Sequence, residues 1–241
     1  MNKIKISAVA YTNTKPFIYG IERSEIRNQI DLSLHIPAEC AARLITNQVD
    51  IGLIPVAVIP LVPNAKIITD YCIGSVGAVN SVFIFSNVPA NEIKTVKLDP
   101  QSRTSNLLAQ VLLKFHFKVE VKFTTEQEES TDAIVLIGDR TFGRKEDFAY
   151  AYDMGEEWMK FTGLPFVYAA WVANKDISSA FIADFNQALS FGLAHRNDLL
   201  KEMPMLPNFD LADYLLNKLD FTLTEDKLKA LHLFLAYINK L

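Results

Sequence analysis

Cysteine is scarce: Cys40 and Cys72 are the only two in 241 residues. One pair makes no disulfide framework of the kind that staples small secreted domains, and the two lack the spacing of a zinc site. Basic clustering is missing as well. The net charge of −4 is spread without long runs, which argues against nucleic-acid binding, since that class needs a basic patch or stripe. Long hydrophobic runs are also absent. The longest, residues 51–62, is interrupted by Pro55 and Pro60 and is too short to span a bilayer. The N-terminal MNKIKISAVAYTNTKP starts basic, but its apolar part is a few residues long and is broken by Lys5 and Ser7, as in a strand and unlike a secretory signal. The expectation is a soluble cytoplasmic protein with no nucleic-acid or membrane partner. What is abundant is apolar material, 50% of the chain, enough for one large domain or two lobes.

Taken in order, residues 4–9 alternate as a strand, 32–36 form the next, Pro37 opens a helix through Ala41, Leu44 and Ile45, and 50–54 read as a buried strand closed by Pro55. Longer strands at 66–73 and 81–85 flank a glycine-bearing bend at 74–77. The first order then returns: strand 95–98, helix 103–115, strand 119–123, short helix 126–130, strand 133–137. A helix at 155–161 begins near Asp153, and the apolar strand 166–172 is either buried on both faces or crosses between lobes. The remainder reads as helices at 177–195, 211–219 and 225–239, with Asp210 and Thr224 as N-caps.

Two β-α-β-α-β units in series predict an α/β, bilobal, periplasmic-binding-protein-like (type II) fold. The lobes are expected at 1–85 with 173–241, and at 86–172, with 81–86 and 168–174 as crossing segments. Open α/β sheets bind ligands beyond the carboxyl ends of their strands, so loops 11–16 and 99–105 should face one cleft. The second loop is the more telling. Ser102, Arg103, Thr104 and Ser105 stand in a row where a helix begins. The first N–H groups of a helix have no internal partners and carry partial positive charge, which suits an anion. Arg103 would add a planar fork for a carboxylate. The competing reading is capping alone, because Ser, Thr and Asp start many helices with no ligand nearby.

Six short motifs in register resemble chorismate dehydratase of the futalosine route to menaquinone. They are Tyr11-Thr12-Asn13-Thr14 with Pro16; Asp50-Ile51-Gly52-Leu53-Ile54-Pro55-Val56; Ile73-Gly74-Ser75 through Ser81-Val82; Leu98-Asp99 with Ser102-Arg103-Thr104-Ser105; Leu136-Ile137-Gly138-Asp139; and Asp153-Met154-Gly155-Glu156-Glu157-Trp158 with Thr162-Gly163-Leu164-Pro165-Phe166. The likeness covers roughly residues 4 to 175; the helical C-terminal third carries no matching motif. It implies a lyase of the binding-protein fold without metal or organic cofactor, converting chorismate to 3-[(1-carboxyvinyl)oxy]benzoate with loss of water. It also implies Asn13 and Ser81 at the reacting face, Thr12 and Ser75 as further partners, and Arg103, Thr104 and Ser105 on a carboxylate. Oligomeric state is not legible.

Other residues invite a function and have a plainer reading beside it. Tyr11 either covers the ligand ring or packs. Asp139 either caps the helix after its strand or joins the pocket. His35 reads as a strand-end residue, while His116, His195 and His232 read as structural or exposed. Trp158 and Trp171 read as core, and Cys40 as a buried inert thiol. Glu126, Glu128, Glu129 and Asp132 read as a solvated acidic stretch. No His, Glu or Lys falls inside the matched pocket motifs, so the catalytic base is unidentified. A carboxylate of the substrate is the hypothesis that this absence motivates. Competing functions are a non-catalytic small-carboxylate binding protein, the sister enzyme of the pathway that forms a dihydroxynaphthoate, and a cytoplasmic ligand sensor.

Overall fold

A computed structural model describes residues 3–126 and 130–241. The first half of the chain builds β1 (Ile4–Val9), α1 (Lys15–Glu22), β2 (Ile30–His35), α2 (Pro37–Ile45), β3 (Ile51–Pro55) and β4 (Lys66–Ser75). It then builds β5 (Val82–Ser86), β6 (Thr95–Lys97), α3 (Arg103–Val111), β7 (Lys122–Thr124), β8 (Ala133–Ile137) and β9 (Tyr150–Asp153). The rest supplies α4 (Met154–Thr162), β10 (Phe166–Ala173), α5 (Ser179–Ala194), α6 (Arg196–Glu202), α7 (Leu211–Asp213), β11 (Asp220–Thr222) and α8 (Glu225–Ile238). The short helix expected at 126–130 lies largely outside the described residues, as do Glu128 and Glu129. Asp132, expected to be solvated, instead accepts hydrogen bonds from the Lys94 and Thr95 amides and the Thr95 hydroxyl, tying the start of β6.

The strands form two sheets. One is ordered β11-β4-β10-β3-β1-β2 and the other β7-β6-β8-β5-β9. β1 runs parallel to β2 and β3, and β6 runs parallel to β7 and β8. Each sheet also takes in antiparallel strands: β10 lies between β3 and β4, and β5 between β8 and β9. All eight residues of β10 are buried, as its unbroken apolar run requires of a central strand.

Two strands change sides relative to the expected limits. β5 belongs wholly to the second sheet and β10 to the first. The chain therefore passes between lobes before Val82 and before Phe166, through the bend after β4 and through α4. The predicted crossing segments are themselves central strands, whose apolar runs look the same to a sequence reading in either role.

The start of the first lobe is held by a close seam. α1 and α5 approach at Gly20 and Gly192, where an added Cβ would stand 2.0 Å from the Ala188 carbonyl oxygen and 1.9 Å from that of Pro16. Only glycine permits such backbone contact. Phe17 of α1 packs edge-on against Trp171 and Phe221. The apolar face of α1 is thus fixed directly behind the loop that precedes it. Among the described residues no helix is long and apolar enough to cross a membrane.

Candidate functional site

Between the two sheets lies a small cavity of about 50 Å³. Val9 at the end of β1, Pro55 at the end of β3 and Ile137 at the end of β8 reach it, so it opens at the carboxyl ends of strands from both lobes. Its polar lining comes from Tyr11, Asn13, Ser81, Ser102, Thr104 and Ser105, with Tyr168 beside them. No Asp, Glu, Lys, Arg or His is among the described residues that line it.

The first wall is the turn after β1. Residues Thr12–Thr14 make one 3-10 turn that runs directly into α1, with Pro16 in the first helical turn, where the missing N–H costs nothing. Asn13 accepts a hydrogen bond at Oδ1 from the Thr14 hydroxyl at 3.2 Å. Thr12 does not reach the cavity. It is buried, and its amide and hydroxyl donate to the Asp139 carboxylate of the other lobe at 3.0–3.2 Å. Tyr11 donates a hydrogen bond to Gln101 Oε1, also across the lobes. Its ring lies on Gly138, where φ is +65° and a Cβ would meet the ring at 2.8 Å. Burial raises the Tyr11 phenol above its ordinary range, with Arg140 opposing.

The second wall is the start of α3. Asn106 pins the preceding turn by accepting from the Asp99 amide at 2.8 Å and donating to the Asp99 carbonyl at 2.7 Å. The buried Asp99 carboxylate accepts from the Gln101 and Ile137 amides and from Arg140. Ser102 is the N-cap, accepting from the Ser105 amide at 3.1 Å. This leaves the first amides of α3 without intrahelical acceptors beside the lining hydroxyls. The Thr104 hydroxyl accepts from the Ala57 amide of the first lobe at 3.1 Å.

Arg103 does not join this wall. It is exposed and lies outside the cavity lining. Successive helical residues point about 100° apart, so with Thr104 and Ser105 turned inward the residue before them turns away. Ser75 is buried but stands one step back, donating to the Gly77 carbonyl and hydrogen-bonding the lining Tyr168 phenol at 3.2 Å.

Ser81 is placed by the bend after β4. The buried Asp153 carboxylate gathers the amides of Val79 and Asn80 together with those of Gly155 and Glu156 at the start of α4. Burial pushes that carboxyl up while the amide donors oppose it. The Gly138 amide donates to the Ser81 carbonyl at 2.8 Å. Sequence reasoning missed one residue here. The fully buried Tyr214, from the C-terminal third, donates its phenol proton to Ser81 Oγ at 2.9 Å. Burial raises both the Tyr214 and Tyr168 phenols well above their ordinary range, so both stay protonated. The only signal in sequence was Asp210, correctly read as a cap, which fixes where this helical segment begins.

The remaining tempting residues are structural. His35 ends β2 and meets Glu39, His116 meets Glu157, and Trp158 donates to the Pro165 carbonyl. The thiols of Cys40 and Cys72 are buried and pushed up to about 11 and about 12, which leaves them protonated and unreactive. Among the described residues no three His, Cys, Asp or Glu side chains are grouped to hold a metal.

Two α/β lobes with an uncharged cavity between them define the class: this is the periplasmic-binding-protein fold. Solved structures agree. The chain is similar to protein AF1704 from Archaeoglobus fulgidus, with a TM-score of 0.76 at 13% identity over 99% of this chain and 97% of that one. It is similar to the CA3427 gene product of Candida albicans, described as having the generic periplasmic binding protein fold, with a TM-score of 0.65 at 13% identity over 100% and 94%. It is also similar to the alkanesulfonate-binding protein SsuA from Xanthomonas axonopodis pv. citri bound to MOPS, with a TM-score of 0.62 at 12% identity over 98% and 93%. At such identities the likeness is one of fold. The family is more specific: a model described as menaquinone biosynthesis matches residues 4–240, and the chain belongs to that family.

Proposed function

We propose that this chain is the chorismate dehydratase of menaquinone biosynthesis, eliminating water from chorismate to give 3-[(1-carboxyvinyl)oxy]benzoate. The observation that carries the reading is a largely apolar cavity whose described polar lining has hydroxyls and an amide but no ionised side chain. An elimination whose base and acid are both supplied by the substrate needs such a site. One chorismate carboxylate lies at the start of α3, where the Ser102, Thr104 and Ser105 hydroxyls and the first helix amides donate to it.

The ring C–H beside the ether is lost to the carboxylate of the enolpyruvyl side chain. The electron pair left behind spreads through the ring alkene onto the ring carboxylate. Donors on that carboxylate are therefore stronger in the transition state than in the ground state, an effect of roughly 3–4 kcal/mol per donor in good cases. The neighbouring hydroxyl then leaves, takes up the transferred proton as water, and the ring becomes aromatic. Asn13 and Ser81 hold the leaving hydroxyl and the ether in line, so the protein contributes orientation and exclusion of water.

The test is direct. Purified protein mixed with chorismate is expected to generate the ultraviolet absorbance of a substituted benzoate. Asn13→Ala and Ser81→Ala are expected to lower kcat by about 10²-fold each with melting temperatures close to wild type. Binding of chorismate without product would turn the reading to a small-carboxylate binding protein. The binding-protein fold of the solved relatives, one of them holding a sulfonate buffer, is what keeps that second reading in play.

A further inference from the structure

Tyr214 has no place in the chemistry described so far, yet its phenol touches Ser81, one of the two residues assigned to the reacting face. Its proton goes to Ser81 Oγ at 2.9 Å. The Asn13 carboxamide is held by the Thr14 hydroxyl at Oδ1. The bond runs from Tyr214 Oη to Ser81 Oγ. A serine hydroxyl that accepts from one side has a single proton left to give elsewhere, and the open side of Ser81 is the cavity.

We propose that Tyr214 is a positioning residue that fixes the direction of the Ser81 hydroxyl, turning its proton toward the substrate oxygen that leaves. The inference rests on the dehydratase reading and deepens it, because a hydroxyl free to rotate would spend part of its time accepting where it must donate. The surroundings of Tyr214 fit such a role. Its ring is clamped edge-on by Phe142 at 5.3 Å and by Phe209 at 5.4 Å, and those two rings stack on each other at 3.7 Å. Residues Tyr214–Lys218 form a π-turn directly after α7. Turns of this kind commonly occur at functional sites, where they re-aim a side chain that an α-helix would point elsewhere. Leu219, which follows, lines the cavity.

The phenol is tested by Tyr214→Phe, which keeps the ring and its clamp. With chorismate as substrate, kcat is expected to fall about 10²-fold, the usual effect of losing one aligned donor, while KM stays within about twofold and the melting temperature is unchanged. The double variant Y214F/S81A is expected to be no slower than S81A, because the phenol acts only through that hydroxyl. Wild-type kcat in Y214F, or losses that multiply in the double variant, would overturn the proposal. If the wild-type chain binds chorismate without converting it, the dehydratase reading falls and the relay is read in affinity instead. Y214F and S81A then weaken chorismate binding by the same factor, and unequal factors overturn it.

Discussion

The two walls of the cavity are built from the same kind of element, a polar turn entering a helix, but they are held by opposite means. The turn before α3 is secured by its own neighbourhood: Asn106 grips both sides of Asp99, and Ser102 caps the helix it starts. The turn before α1 places its side-chain hydrogen bonds largely across the cleft, Thr12 to Asp139 and Tyr11 to Gln101. The difference teaches how order is divided between the lobes. The wall at α3 is held chiefly within the second lobe, with one bond from the Ala57 amide to Thr104, whereas the turn before α1 is anchored to the lobe opposite.

Three substitutions sharpen that contrast. Asp139→Ala removes the acceptor of both Thr12 donors. Hydrogen bonds to a charged group are worth about 1.5–3 kcal/mol, and Asp139 is exposed, so the lower end applies. Affinity for chorismate is expected to fall about tenfold in a titration, with little change in melting temperature; unchanged affinity would show that the first wall holds itself. Ser102→Ala acts on the wall at α3 and should cost about 1 kcal/mol of stability. In a chain of this size that lowers the melting temperature by a few degrees, and a melting curve identical to wild type would deny the cap its role. Arg103→Ala should change KM by less than about twofold, since an exposed charge outside the lining contributes little. A tenfold rise would return Arg103 to the site.

Arg103 is also where the sequence misled, although the correcting signal was present. Thr104, Ser105, Leu108 and Leu112 share one helical face, and all four are buried. Arg103 falls instead on the face of Leu107, Gln110 and Lys114, none of them buried. Elements with a clear period were legible: β1 and β8 have the predicted bounds of 4–9 and 133–137, and α2 starts at Pro37. β9 was not, because Tyr150 and Ala151 are exposed on an edge strand and give no alternation. β11, of three residues, is too short to leave a pattern, and α6 was absorbed into the stretch between two predicted helices. The helix expected at 211–219 breaks into α7 and a π-turn, a change of hydrogen-bond register that composition does not encode.

The two site loops could be read from their density of hydroxyls and amides. Tyr214 could not, since its contact to Ser81 spans 133 positions and depends on how the last third folds back. Asp139 was balanced between capping and the pocket. It does neither, serving as the acceptor that joins one lobe to the other.

The glycine seam between α1 and α5 carries a consequence well away from the cavity. Because backbone rests on backbone there, the seat of α1 is set to within a methyl group, and the Asn13 turn is the continuation of that helix. Alanine at either glycine would act as a shim, tilting α1 and displacing the Asn13 turn without altering one atom that lines the cavity. Loss of function in this chain can thus originate on the outer side of a helix, where a survey confined to the cavity would never look.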